Sequence, residues 1–371
     1  MMRQGKTKSK ILQSFQASLA VNLVLFPVML SFYYEFPPYS LLLNLVIIPL
    51  MSVVLGAGLL GSFLCLFFKP AGGVVFLLCR GILNLYEWSC NLSMKLPFSR
   101  IVTGKPEVSW IVLYYAVLLL VCLYWMLRKE KTGKTCFAWG MLAAAGICLA
   151  ASGQMKHHGV FQATMLDVGQ GDGLVLRTPE GNCFLVDGGS TNKSGVGQYQ
   201  VLPYLKNQGI SQIDGIFISH TDQDHISGVQ EILEMAVKKL NSVKLGCLYL
   251  PEWENPPAAW EKLKQTAKAA GIPVRTLKEG DCLNAGKLQL QIIAPAVSAS
   301  GADVNEDGMV IKVKYEEFLG LLTGDIGEET EKKLLELGVL EDVDFLKVGH
   351  HGSHYSTCQQ FLDTVRPEYA V

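Results

Sequence analysis

Phe217-Ile218-Ser219-His220-Thr221-Asp222-Gln223-Asp224-His225-Ile226-Ser227-Gly228 decides how this chain reads. An apolar run, Ile216 to Ile218, ends abruptly in a turn that carries two histidines and two aspartates. A strand end is a rigid place to present ligands, and the tight spacing lets several side chains converge on one point. Imidazole and carboxylate together, with no thiolate nearby, suit zinc, manganese or iron. The alternative is a polar turn with incidental histidines. Four candidate ligands within six residues, straight after an apolar strand, argue against it.

Further ligands are expected from elsewhere, because one short loop does not encircle two ions. Leu321-Leu322-Thr323-Gly324-Asp325 again runs from an apolar strand into a turn and an acid. Leu346-Lys347-Val348-Gly349-His350-His351-Gly352-Ser353-His354 ends a third strand in histidines. Five of the seven histidines therefore fall in two strand-end loops, and His157 and His158 read as solvated residues near a membrane exit. Met165-Leu166-Asp167-Val168-Gly169-Gln170-Gly171-Asp172-Gly173 is glycine-rich but lacks the Lys and Ser/Thr of a phosphate-cradling loop and does not open a helix. It reads as a sharp hairpin that brings Asp167 and Asp172 near the site. Asp187, in Val186-Asp187-Gly188-Gly189, either orients a metal-bound histidine or merely shapes its turn.

Outward from these motifs the 371-residue chain falls into two unlike parts. Residues 1–152 are dominated by Leu, Val, Ile, Phe and Gly, and residues 153–371 have the mixed charge and regular turns of a soluble enzyme. A mean hydropathy of +0.27 fits that mixture. The net charge of -1 gives no global case for binding nucleic acid. The cysteines show no paired spacing, which predicts neither a disulfide framework nor a zinc knuckle.

In the first part, apolar runs at about Ser14–Tyr34, Tyr39–Phe68, Gly72–Leu96, Trp110–Leu127 and Thr135–Ala151 predict five membrane spans. Arg80, Asn84, Glu87 and Asn91 recur on one face of the third, which is expected to line a bundle interior. The basic leader (Arg3, Lys6, Lys8, Lys10) and the loop Arg128–Lys134 then lie on the same, inner side. That arrangement makes the chain a multi-pass protein of the cytoplasmic membrane with its soluble domain on the extracytoplasmic face.

In the second part, strands are predicted at Phe161–Asp167, Gly173–Arg177, Cys183–Asp187, Gly215–Ser219, Leu245–Leu250, Leu288–Ile293, Met309–Tyr315, Phe318–Thr323 and Phe345–Val348. Helices are predicted at Val201–Gln208, Val229–Leu240, Ala258–Ala270, Glu328–Leu337 and Cys358–Val365. The fold class is a multi-span helical domain followed by an α/β sandwich with sheets inside and helices outside.

These motifs resemble the metallo-β-lactamase superfamily, whose HxHxDH signature here reads HxDxDH with Asp222 at the second histidine position. The set LDVGQGDG, VDGG, SHTDQDHISG, LLTGD and LKVGHHGSH is similar to one branch, the ComEC competence proteins, as is the Leu42–Leu50 membrane run. The resemblance implies an αβ/βα sandwich on a membrane channel that takes up transforming DNA as a single strand, alongside other DNA-uptake proteins. It implies a nuclease that degrades the non-transported strand. Position by position, His220, Asp222, Asp224 and His225 match the metal signature, Asp325 the bridging carboxylate and His350 a late ligand. The superfamily's usual middle histidine is absent, and Asn305 is the nearest polar candidate. The resemblance also implies a C-terminal portion of a longer protein, ending before a last His-containing loop.

The expected mechanism is phosphodiester hydrolysis with two divalent ions, manganese favoured by the oxygen-rich ligation and zinc as the alternative. Asp224 or Asp325 orients the water and receives its proton, and a metal or His354 stabilises or protonates the leaving group. Lys347, His351 and Ser353 contact substrate, with loop-borne Lys193 adding backbone attraction. Rival readings are a hydrolase of a small ester, thioester or lactam, a non-catalytic DNA conduit, and a shortened chain without activity.

Overall fold

The computed structural model describes residues 2–127, 135–154 and 159–371, which divide into two compact units, Met1–Gln154 and Met155–Val371. The loop Arg128–Lys134 and the pair His157 and His158 lie outside the described residues.

Among the described residues the first unit has five helices: α1 (Met2–Tyr33), α2 (Ser40–Phe67), α3 (Lys69–Met94), α4 (Val108–Leu127) and α5 (Thr135–Ser152). A two-residue antiparallel ladder joins β1 (Glu35–Phe36) to β2 (Ile101–Val102). Each helix covers one of the apolar runs. The Leu42–Phe67 stretch and α4 combine the length and hydropathy of a membrane span, whereas the apolar stretches Ser18–Tyr33 and Trp139–Ser152 are shorter. α4 packs on α5 and α1 around Leu30, Tyr114, Leu142 and Leu149, and Tyr114 Oη donates to Leu23 O at 2.9 Å. α3 folds back on α2, burying Gly72, Cys79 and Ile82, and Tyr86 Oη donates to Ile47 O at 2.8 Å. The polar face of α3 differs from the expectation of a lined interior. Arg80, Asn84, Glu87 and Asn91 are exposed in this unit, because the small and apolar residues take the contact with α2.

The second unit is a four-layer sandwich. One sheet runs in the order β3 (Gln162–Met165), β4 (Leu174–Arg177), β5 (Cys183–Val186), β6 (Gln212–Phe217), β7 (Lys244–Pro251), β8 (Val274–Leu277). The other runs β14 (Tyr369–Ala370), β13 (Phe345–Lys347), β12 (Phe318–Leu322), β11 (Val310–Tyr315), β10 (Leu288–Ala294), β9 (Cys282–Ala285). Alternation of side chains explains why the decisive strand reads as continuously apolar. Phe217 points between the sheets, stacked on Tyr249 at 4.6 Å among Leu176, Phe184, Leu290 and Val313. Ile216 and Ile218 point the other way, into the core beneath α6 (Leu202–Asn207), α7 (Gln223–Val237) and α8 (Ala258–Ala269). A third core, with Leu321, Leu346 and Phe361, lies under α9 (Glu328–Glu336) and α10 (Gln359–Val365).

All nine anticipated strands form, with β8, β9 and the terminal β14 in addition. β8 and β9 are four-residue strands with mostly exposed or half-exposed side chains, too short for alternation to register. α7 begins at Gln223, six residues before the predicted start, so the metal signature is a strand-to-helix turn with Asp224 and His225 on the first helical turn. The parallel pairing of β5 with β6 and of β12 with β13 sets Asp187, His220, Asp325 and His350 at the same kind of strand end, just past the carboxyl terminus.

The three loops of the first sheet meet backbone to backbone. A Cβ on Gly171 would lie 2.4 Å from Gly189 O and 2.5 Å from Asp224 O, so glycine is required at that approach. Replacing Phe217 with Ala empties the centre of the inter-sheet core. The expected cost is about 3–5 kcal/mol, read as a lower urea midpoint with Trp253 and Trp260 fluorescence reporting on the sandwich.

Candidate metal centre

The site begins with Asp187, a buried residue held in the left-handed region at φ 57° just after β5. Its carboxylate accepts the Ser219 backbone N–H at 2.8 Å and the Ser219 hydroxyl at 2.7 Å. Oδ2 also lies 2.9 Å from His225 Nδ1. A carboxylate is acceptor-only, so Nδ1 of His225 must carry the hydrogen. The Ser219 hydroxyl has committed its proton to Asp187, so at 3.0 Å from His220 Nδ1 it acts as acceptor. One buried acid thus sets both signature histidines with Nδ1 protonated, directly and through Ser219. Nε2 of His220 and of His225 is buried and has no hydrogen-bond partner.

Those orphaned nitrogens face carboxylates. His225 Nε2 lies 3.2 Å from Asp325 Oδ2. His351 Nε2 lies 3.2 Å from the same oxygen and 3.2 Å from Asp224 Oδ2. Ligand atoms of Asp172, His225, Asp325 and His351 all fall within 4.8 Å of one another. Tetrahedral ligands at about 2.1 Å from an ion are about 3.4 Å apart, so this spacing fits a cation held among Asp172, His225, Asp325 and His351, with Asp224 beside His351. On the other side of His225 its ring lies 4.0 Å from that of His220, whose Nε2 is 3.8 Å from Asp222 Oδ2. His220 and Asp222 form a second donor pair, and both feel the charge of Asp325. The donor set fits divalent cations in both places.

The remaining expected residues are distributed as follows. Lys347 is buried, and its ammonium donates to Gly324 O at 2.6 Å and Asp325 Oδ1 at 3.0 Å and pairs with Asp172. Its charge is thereby met inside the protein by two carboxylates and a carbonyl. Asp172 turns its other oxygen toward His351 Nδ1 at 3.5 Å. His351, reached in sequence as a substrate contact, is therefore brought to the ligand cluster. His350 and His351 are both left-handed, at φ 46° and 52°, and His350 influences Asp222 by charge. Asp167 is exposed and pairs with Lys193 at 2.9 Å, away from the cluster. Asn305 Oδ1 is buried without a partner, on the turn before β11. Ser353 Oγ accepts the Tyr355 N–H at 3.4 Å, and the exposed His354 ring lies against Tyr355. Sequence reasoning missed Ser219. Its place before the first signature histidine was the available signal.

Charge follows geometry. Burial works against a charge on His225, but Asp187 and Asp325 outweigh it and push the imidazole up to about 10. Hydrogen bonds to Asp172, Asp224 and Asp325 push His351 up to about 11. Burial, together with His225 beside it, pushes His220 well below the ordinary histidine value. Burial opposes the charge of Asp325 as well, yet His225 and His351 hold it well below the usual carboxylate range. In the metal-free protein the cluster is thus a set of carboxylates neutralised by two imidazolium protons and Lys347.

Residues 166–371 match the family model of the metallo-beta-lactamase superfamily. The chain belongs to that superfamily. Residues 1–128 match the family model described as competence protein. Among relatives of this chain, ComE operon protein 3 of Bacillus subtilis is 25% identical over 99% of the chain and 47% of its own length. Recombination protein 2 of Haemophilus influenzae is 28% identical over 84% and 35%. Competence protein ComA of Neisseria gonorrhoeae is 26% identical over 99% and 47%. The chain spans less than half the length of each of these relatives.

Two outcomes follow for the metal centre. The protons on His225 and His351 stabilise the metal-free fold fully below the ordinary histidine value of about 6.5. That contribution is lost as pH rises through about 10 and 11. A cation must displace both protons, so affinity for manganese or zinc rises with pH between 6 and 9, and calorimetry in buffers of different ionisation heat records their release. Asp187→Ala, which frees both signature histidines from their fixed tautomers, lowers metal affinity by about 10–100-fold in the same titration.

Proposed function

We propose that this chain belongs to a membrane machine for taking up transforming DNA as a single strand, and that its soluble unit is a metal-dependent phosphodiesterase that degrades the non-transported strand. The observation that carries the reading is the clustered donor set of Asp172, His225, Asp325 and His351, with Asp224 against His351 and with His220 and Asp222 nearby, on a chain whose preceding residues match the competence-protein model. Divalent cations held there would supply Lewis-acid polarisation of a phosphoryl oxygen and a water acidic near neutrality. Three carboxylates facing the donors favour manganese, with zinc as the second choice. The residues of the chain then have distinct parts. Asp187 and Ser219 hold His225 and His220 with Nε2 outward, Lys347 and Asp172 set Asp325 and His351, and Asp224 orients the attacking water.

The same reading gives the chain five membrane spans over residues 1–152 and a hydrolase domain over 153–371. It puts the soluble unit on the extracytoplasmic face, where incoming duplex DNA arrives and other uptake proteins deliver it. The shared side of the basic leader and the Arg128–Lys134 loop supports that orientation.

The full chain in detergent should cleave DNA with manganese and lose that activity in EDTA. Asp325→Asn should lower the rate by about 10²–10³-fold, the loss of several kcal/mol of charge stabilisation. A well-folded chain that binds manganese yet leaves DNA intact refutes the nuclease reading, and cleavage of a chromogenic lactam instead replaces it.

A further inference from the structure

The loop that leaves the cluster is fixed along its backbone. Ser356 Oγ donates to Gly349 O at 2.7 Å, and the Glu328 N–H donates to Tyr355 O at 3.1 Å. Glu331, 1% exposed, accepts the backbone N–H groups of Thr357 and, at 2.8 Å, of Cys358. Thr357 itself is left-handed at φ 57°. A buried carboxylate is costly unless its hydrogen bonds are satisfied, so this clamp specifies one loop conformation. In that conformation Tyr355 is 71% exposed. The His354 ring lies alongside, with centroids 3.9 Å apart and planes inclined at 40°. A flexible loop would let so large an aromatic fold back onto apolar surface, and this one keeps it in water four residues after the ligand-bearing His351.

Electrostatics around the centre leave room for such a contact. Lys347 donates to Gly324 and Asp325 and is ion-paired with Asp172, and Lys193 is paired with Asp167. The whole chain carries a net charge of -1. With these two lysines committed to carboxylates, a contact that does not depend on charge adds affinity for a nucleic-acid strand approaching the centre. Stacking of a base on an aromatic face supplies it without regard to sequence.

We propose that Tyr355, flanked by His354, is a nucleobase platform: the base next to the scissile phosphate stacks on the Tyr355 ring while the phosphate enters the His351 cluster. The proposal rests on the phosphodiesterase reading and gives His354 a place beside the base instead of a proton-transfer role. It makes single-stranded or frayed DNA the preferred form, because a paired base has no face to offer.

The test compares binding of a short single-stranded oligonucleotide with that of an abasic strand of equal length, using the full chain in detergent with calcium in place of manganese. The wild type should bind the base-bearing strand more tightly. Tyr355→Ala should weaken that strand about tenfold, leave the abasic strand unchanged, and leave the manganese titration unchanged, while Tyr355→Phe retains wild-type binding. Tyr355→Trp adds a direct readout, with its emission quenched by the base-bearing strand and not by the abasic one. Equal binding of the two strands by the wild type, or equal weakening of both by Tyr355→Ala, overturns the platform. Base-dependent binding without cleavage in manganese keeps the platform and removes the nuclease reading, whereas cleavage without base preference does the reverse.

Discussion

The structure of the centre depends on one buried carboxylate. Asp187 is nearly inaccessible, sits in a backbone conformation that side chains avoid, and accepts from Ser219 and His225. Those bonds close the C-terminal end of β5 against that of β6. They also fix Nδ1 of each signature histidine toward Asp187 or Ser219 and leave Nε2 as the nitrogen that would meet a cation. Without a fixed Nδ1–H, an imidazole beside several acids can turn either nitrogen inward, and the two orphaned Nε2 atoms would not share a direction.

A second buried pairing does the same for the other sheet. Lys347 ties Asp325 to Gly324 and to Asp172, and Asp172 reaches His351. The lysine joins β13 to the acids through charge-assisted bonds that replace its water. Taking one partner away from such a group leaves an uncompensated buried charge, which explains why an ammonium is tolerated here at all. The centre is thus held from both sheets by polar networks with no slack, while the apolar core between them, around Phe217 and Tyr249, sets their separation.

The backbone around the site is strained in step with this. Asp187, His350 and His351 are all left-handed, at a cost of about 1–2 kcal/mol for each such residue. Their conformations persist because neighbouring loops fix them. Gly171 admits Gly189 and Asp224 at contact distance, and Glu331 and Ser356 clamp the loop after His351. Rigid loops whose histidines converge on the cluster suit a site that has to receive a cation without rearranging.

Much of this was legible in the sequence. The apolar runs marked the five helices and the main strands, because burial on one or both faces leaves a pattern in the chain itself. Three strand ends bearing His and Asp marked the centre, since ligand residue types recur where strands stop. Tertiary structure alone decided the rest. It chose His351 over His350 for the contacts with Asp224 and Asp325, because two consecutive left-handed residues turn the loop in a way that spacing does not encode. It turned Lys347 inward and Asp167 outward, because the side a charge faces is set by the strand register and the partners across the sandwich. It also revealed Ser219 as the link between Asp187 and His220, a role that exists only once two residues 32 positions apart meet at the neighbouring ends of β5 and β6.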